Sequence, residues 1–166
     1  MFLRAVTLAG GLAGAAGLSQ FPEFSQQYTQ RLAGKVEELT RFVSEFDADA
    51  AAVGVSREQA LIDLAQGGAM GAQRAQTMVD TIARADRLSR ALDDLRVAGP
   101  FTRAYRARAL ADTRLVRGTL ADFKPALPLT FEGAIFAGAG FLAGLGLMGA
   151  LLWLMRLLFR RRSATG

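Results

Sequence analysis

The sequence predicts an all-α protein in which two transmembrane helices, one N-terminal and one C-terminal, flank an extracytoplasmic helical hairpin or bundle. Three observations carry this expectation. Hydrophobic residues make up 51% of the 166 residues and gather at the two ends, while the charged 21% gather between them. The middle repeats its large apolar residues every three or four positions, the spacing of one helix face. No stretch alternates apolar and polar residues as a half-buried strand does. The expected division is a signal anchor over residues 1–21, an extracytoplasmic helical domain over 22–128, a transmembrane helix over 129–159 and a basic cytoplasmic tail over 160–166.

The N-terminal segment is apolar from Ala5 to Leu18 but consists mostly of Gly and Ala. Fourteen helical residues give about 21 Å, short for a span, and counting instead from Phe2 to Phe21 gives about 30 Å if Arg4 snorkels and Ser19 and Gln20 lie at the far interface. A basic start followed by a short apolar stretch also fits a cleaved signal peptide; the expectation here is an uncleaved anchor. Gly10 and Gly14 form G-x-x-x-G, extended by Gly17 on nearly the same face. Such small-residue seams let helix backbones approach closely, either between two spans of one chain or between subunits.

In the middle, Phe21, Phe24, Tyr28, Leu32, Val36, Leu39, Val43 and Phe46 form one stripe of a long helix, with Pro22 at a kink or a fresh start and a stop over residues 47–54. Ser56 begins a short helix, with Gln59 completing a capping box, and Gly67-Gly68 ends it. A second long helix follows over about 70–97, carrying Ala75, Met78, Ile82, Ala85, Leu88 or Ser89, Leu92 and Leu95 and closed by Gly99-Pro100. Asp112 is placed to cap a helix bearing Leu115, Val116, Leu120 and Phe123. Lys124-Pro125-Ala126-Leu127-Pro128 reads as an extended linker. The two long helices most simply pair antiparallel.

The C-terminal segment is the stronger span. Residues 133–155 carry no charge, and 23 helical residues reach about 34 Å, enough to cross a hydrocarbon core of ~30 Å. Gly133, Ala137, Gly140 and Gly144 follow a 4-3-4 spacing and form a second seam. Trp153 and Arg156, then Arg160, Arg161 and Arg162, are the expected interface anchors.

Charge placement decides between function classes. The net charge of +5 would suggest nucleic acid, but all fifteen acids lie between Glu23 and Glu132 together with fifteen of the twenty basic residues. The excess is Arg4, Arg156 and Arg160 to Arg162, each flanking an apolar segment, which suits a membrane surface and not a phosphate backbone. With the Arg on both outer flanks, the positive-inside rule puts both termini in the cytoplasm and the middle in the periplasm.

The chain has no Cys and no His, which removes disulfides, thiol chemistry and imidazole catalysis. Glu45, Asp47 and Asp49 lack the Gly and terminal Glu of a calcium loop, and the glycines over 67–71 lack a P-loop Lys. No catalytic residue, metal site or cofactor is expected. The partners expected are membrane lipid and other membrane subunits or further copies of this chain, and no nucleic acid.

Residues 9–34 (AGGLAGAAGLSQFPEFSQQYTQRLAG), the turn Ala98-Gly99-Pro100-Phe101-Thr102-Arg103 and residues 120–144 (LADFKPALPLTFEGAIFAGAGFLAG) resemble a family of proteobacterial inner-membrane proteins catalogued only as a domain of unknown function. The likeness spans nearly the whole chain. It implies an inner-membrane location and this architecture, and supplies no activity and no site residues. The leading expectation is therefore a non-enzymatic structural or accessory protein assembling through its seams and amphipathic helices. An envelope lipid- or peptide-binding module with an apolar groove is the alternative, and a homo-oligomeric channel a weaker one.

Overall fold

The computed structural model describes residues 1–105, 110, 112–127 and 129–162, apart from the side chains of Phe2 and of residues 158–162. Among the described residues seven helices follow in order: α1 Phe2–Ser19, α2 Phe21–Ala52, α3 Arg57–Gln66, α4 Gly68–Arg96, α5 Pro100–Tyr105, α6 Thr113–Ala121 and α7 Phe131–Arg162. The described residues contain no strand. They fold into two compact units, one of Met1–Gln26 with Asp122–Gly166 and one of Gln27–Ala121.

In the first unit α1 and α7 pack antiparallel, since Leu3 shares a groove with Trp153, Gly10 lies against Met148 and Leu18 against Gly140. Pro22 stands in the first turn of α2, one turn residue, Gln20, separates it from α1, and the Phe24 N–H bonds the Gln20 carbonyl at 2.9 Å. A proline in the first turn has no helical partner to lose there. Thr130 caps α7, accepting the Gly133 N–H at 3.1 Å. Among the described residues, Phe131–Leu157 of α7 is the one helix long and apolar enough to cross a membrane. Within it, only 11% of the 18-residue apolar window is buried.

In the second unit the anticipated stripes face inward. Tyr28, Leu32 and Leu39 of α2 are buried, as are Ala75, Met78, Ala85, Leu88, Leu92 and Leu95 of α4. Near the end of α4, Leu92 and Arg96 line a groove together with Gln30 to Ser44 of α2. Two local details depart from expectation. The α2 helix continues past Phe46 to Ala52, because residues 47–52 are alanines and two aspartates, of which Asp47 is held by Arg57. It then ends in a Schellman turn: Gly54 has φ 76, Val55 N–H reaches the Ala50 carbonyl and Gly54 N–H the Ala51 carbonyl, both at 3.0 Å.

The capping box at Ser56 is only half made. Ser56 Oγ accepts the Gln59 N–H at 3.2 Å, but the Gln59 side chain donates to Asp63 at 2.7 Å instead of turning back. Hydrogen bonds from its own backbone and from the Ser56 side chain lower the Glu58 carboxyl below the usual range. The step from α3 to α4 takes one residue, Gly67. Gly68 has φ 79, and at Gly71 a side chain would strike the Leu64 carbonyl, so the two helices meet at glycine.

Candidate functional site: a glycine seam and the groove at its arginine end

The closest helix contact in the first unit is glycine on glycine. A Cβ on Gly14 would run into the Gly140 carbonyl oxygen, and one on Gly140 into the Gly14 carbonyl oxygen. A Cβ on Gly144 would meet the Gly10 oxygen, and one on Gly10 would lie 2.8 Å from Met148 Cβ. Where these glycines carry hydrogen, Cα–H groups therefore point at facing carbonyls, the weak bonds that recur in close helix crossings. Of the anticipated seam, Gly10, Gly14, Gly140 and Gly144 come together, and they do so within one chain.

The remaining seam residues divide. Gly133 is buried and Ala137 half-buried on α7. Gly17 is not part of the seam: it is exposed, and its missing Cβ would meet nothing within 4 Å. The reason is rotational. The contact line runs through Gly11, Gly14 and Leu18, so Leu18 Cβ meets Gly140 where Gly17 was expected to. Gly11 escaped the sequence reading, and the Gly10-Gly11 doublet was its signal. A Cβ there would lie 2.8 Å from the Phe141 ring and 2.9 Å from Leu145, both side-chain ends.

One end of the seam is closed by polar and aromatic contacts. The Gln20 side-chain amide bonds the Ala126 backbone twice, donating to its carbonyl and accepting its N–H, each at 3.1 Å. The Phe21 and Phe136 rings sit 5.3 Å apart, and those of Phe24 and Phe123 6.1 Å apart. The linker is thereby tied to the junction between α1 and α2.

The opposite end is open. There α1 and α7 border a groove of about 660 Å³, with Leu3, Leu8, Leu145 and Leu152 on its walls and Arg4, Trp153 and Arg156 at its mouth. The Gly149 backbone borders it with free space where a side chain would be. Arg4 and Arg156 are exposed, and neither has a carboxylate partner among the described residues. Arg160, Arg161 and Arg162 end α7, but their side chains lie outside the described set.

The second unit is organised by ion pairs. Asp112 caps α6, accepting the N–H groups of Arg114 at 3.1 Å and Leu115 at 3.0 Å, and also takes the Arg84 guanidinium at 3.0 Å. Burial pushes the Tyr28 phenol up, and its oxygen meets the Asp112 backbone. Arg31, Lys35, Arg84 and Arg114 border a cleft of about 370 Å³ with Glu38, which Lys35 holds at 2.8 Å. A larger groove of about 870 Å³ runs beside α2, past Gln30, Val36, Glu37 and Thr40. No cluster of three metal-ligating side chains occurs among the described residues.

The chain belongs to the family described as "Protein of unknown function (DUF2937)", whose model matches residues 2–161. Neither a curated protein nor a solved structure matches it.

Proposed function

We propose that this member of a family without an assigned activity is a non-enzymatic structural or accessory protein of the bacterial inner membrane. In this reading α1 and α7 cross the bilayer as a glycine-locked hairpin with both termini in the cytoplasm. They carry Gln27–Ala121 in the periplasm, where the helical unit engages partners in a homo-oligomer or larger complex. The observation that supports it is an apolar helix left uncovered along most of its length and gripped on one side by a second helix of small residues. A soluble core helix would be enclosed, whereas a membrane supplies that cover itself.

The seam bears on the assembly part of the proposal. Because Gly10, Gly14, Gly140 and Gly144 satisfy one another inside the chain, contacts between subunits fall to other surfaces. Reporter fusions test the topology: a cytoplasm-active reporter is expected to work at the C-terminus, and an export-dependent one when inserted at the Gly54 turn. The reverse pattern rejects the hairpin. Native mass spectrometry from mild detergent tests assembly, and a strictly monomeric chain copurifying with nothing rejects that half.

The groove beside α2 favours a second reading, an envelope binding module. Its lining mixes Gln30, Glu37, Thr40 and Arg41 with Ala33, Val36 and Leu92, which suits a peptide better than an acyl chain. Crosslinking to a periplasmic peptide through a photoreactive residue at Thr40 would favour it.

A further inference from the structure

Among the described residues, Arg4 and Arg156 at the open end of the helix pair have no carboxylate partner. No Asp or Glu precedes Glu23 and none follows Glu132, so every carboxylate lies outside α1 and outside α7 beyond its first turn. Antiparallel pairing then brings Arg4 of α1 and Arg156 of α7 to the mouth of one groove. Leucines and Thr7 make up the rest of the lining, and at Gly149 the missing side chain leaves the groove open. Trp153, 64% exposed, stands at the same level, where an indole prefers the boundary between headgroups and acyl chains.

Two guanidiniums above an apolar slot match one class of ligand. A guanidinium forks onto phosphate oxygens, and the slot takes the hydrocarbon attached to that phosphate. A free anion would satisfy the arginines and leave the slot empty, and a zwitterionic lipid brings its own cation to a site that already has two. We propose that the groove between Arg4 and Arg156 is a binding site for one anionic glycerophospholipid of the surrounding bilayer. The inference rests on the membrane reading given above. On that reading the lipid completes the helix pair: it neutralises the end the chain leaves positive and fills the gap between α1 and α7 that the glycines do not close.

The test uses the full chain in detergent with equimolar phosphatidylglycerol and phosphatidylcholine, read by native mass spectrometry. The expected result is a single phosphatidylglycerol adduct that soluble glycerol 1-phosphate does not displace. The R4Q/R156Q double variant is expected to weaken it about 30-fold, the scale of two arginines at an anionic surface. Gly149→Leu, which occupies the slot while meeting no neighbouring atom at its Cβ, is expected to lose it as well, and replacing Arg160 to Arg162 by Gln is expected to retain it. Flotation with liposomes separates the two levels of failure. A chain that does not float overturns the membrane reading and the site together. A chain that floats but holds both lipids equally, releases its lipid to glycerol 1-phosphate, or keeps it in R4Q/R156Q overturns the site alone.

Discussion

Among single residues, the glycines of α1 differ in what stands opposite them, and that difference ranks their substitutions. Opposite Gly14 is the Gly140 carbonyl, a backbone atom that cannot move without shifting the whole of α7. Gly14→Ala is therefore expected to cost about 3 kcal/mol, the upper end of overpacking. Gly11 faces only the ends of Phe141 and Leu145, which can turn aside, so Gly11→Ala is expected to cost about 1 kcal/mol. Gly17 faces open space, and Gly17→Ala should leave the helix pair unchanged. Thermal unfolding of the three variants in one detergent reads the order directly, and equal midpoints for Gly14→Ala and Gly17→Ala would sink the account. The G-x-x-x-G spacing made Gly10 and Gly14 visible in the sequence. It misled at Gly17, because spacing fixes a face only to within the rotation at which the partner helix happens to cross.

At the level of elements, local signals were read well and long-range ones were not. Ser56, Asp112 and the Gly67-Gly68 stop acted where they stood, since a cap depends on residues three or four positions away. The ion pair that Arg57 makes with Asp47 across the following turn had no such signal, because ten positions separate the two. That arginine binds Asp47 with both of its forks, Nε to Oδ1 at 2.6 Å and Nη2 to Oδ2. The hydrogen bond from Arg57 holds the Asp47 carboxyl below its ordinary value. A carboxyl depressed by folding adds stability above its unfolded pKa of about 3.9 and loses it as pH falls through the lower folded value. The gap in melting temperature between the native chain and Arg57→Gln should thus be constant above about pH 5 and close in stronger acid. Added salt should narrow it too, because the pair is partly exposed. A gap that persists in acid would assign the role of Arg57 to packing.

For the molecule as a whole, composition foretold the helical class and the separation of apolar ends from a charged middle. The boundary between the compact units was less legible. The linker residues Asp122 to Ala126 cluster with the apolar helices, held there by Gln20. An amide meeting a backbone 106 positions away leaves no trace in local pattern. On the membrane reading proposed above, a chain ending at residue 121 is expected to lose its hold on the bilayer, since α1 is then left without α7. Alkaline extraction should release the shortened chain and spare the full one. If both resist, α1 anchors by itself and the seam only refines a contact already secure.

Pairing Gly14 with Gly140 also sets a schedule. The two are 126 residues apart (140 − 14) and meet only after nearly the whole chain has been made. At ribosomal speeds of about 5–20 residues per second, α1 waits about 6–25 seconds for its partner. During that interval its bare glycine face is open to any other helix with small residues, so the chain is most exposed to mispairing while it is being born. A slow ribosome lengthens that exposure, and a fast one shortens it.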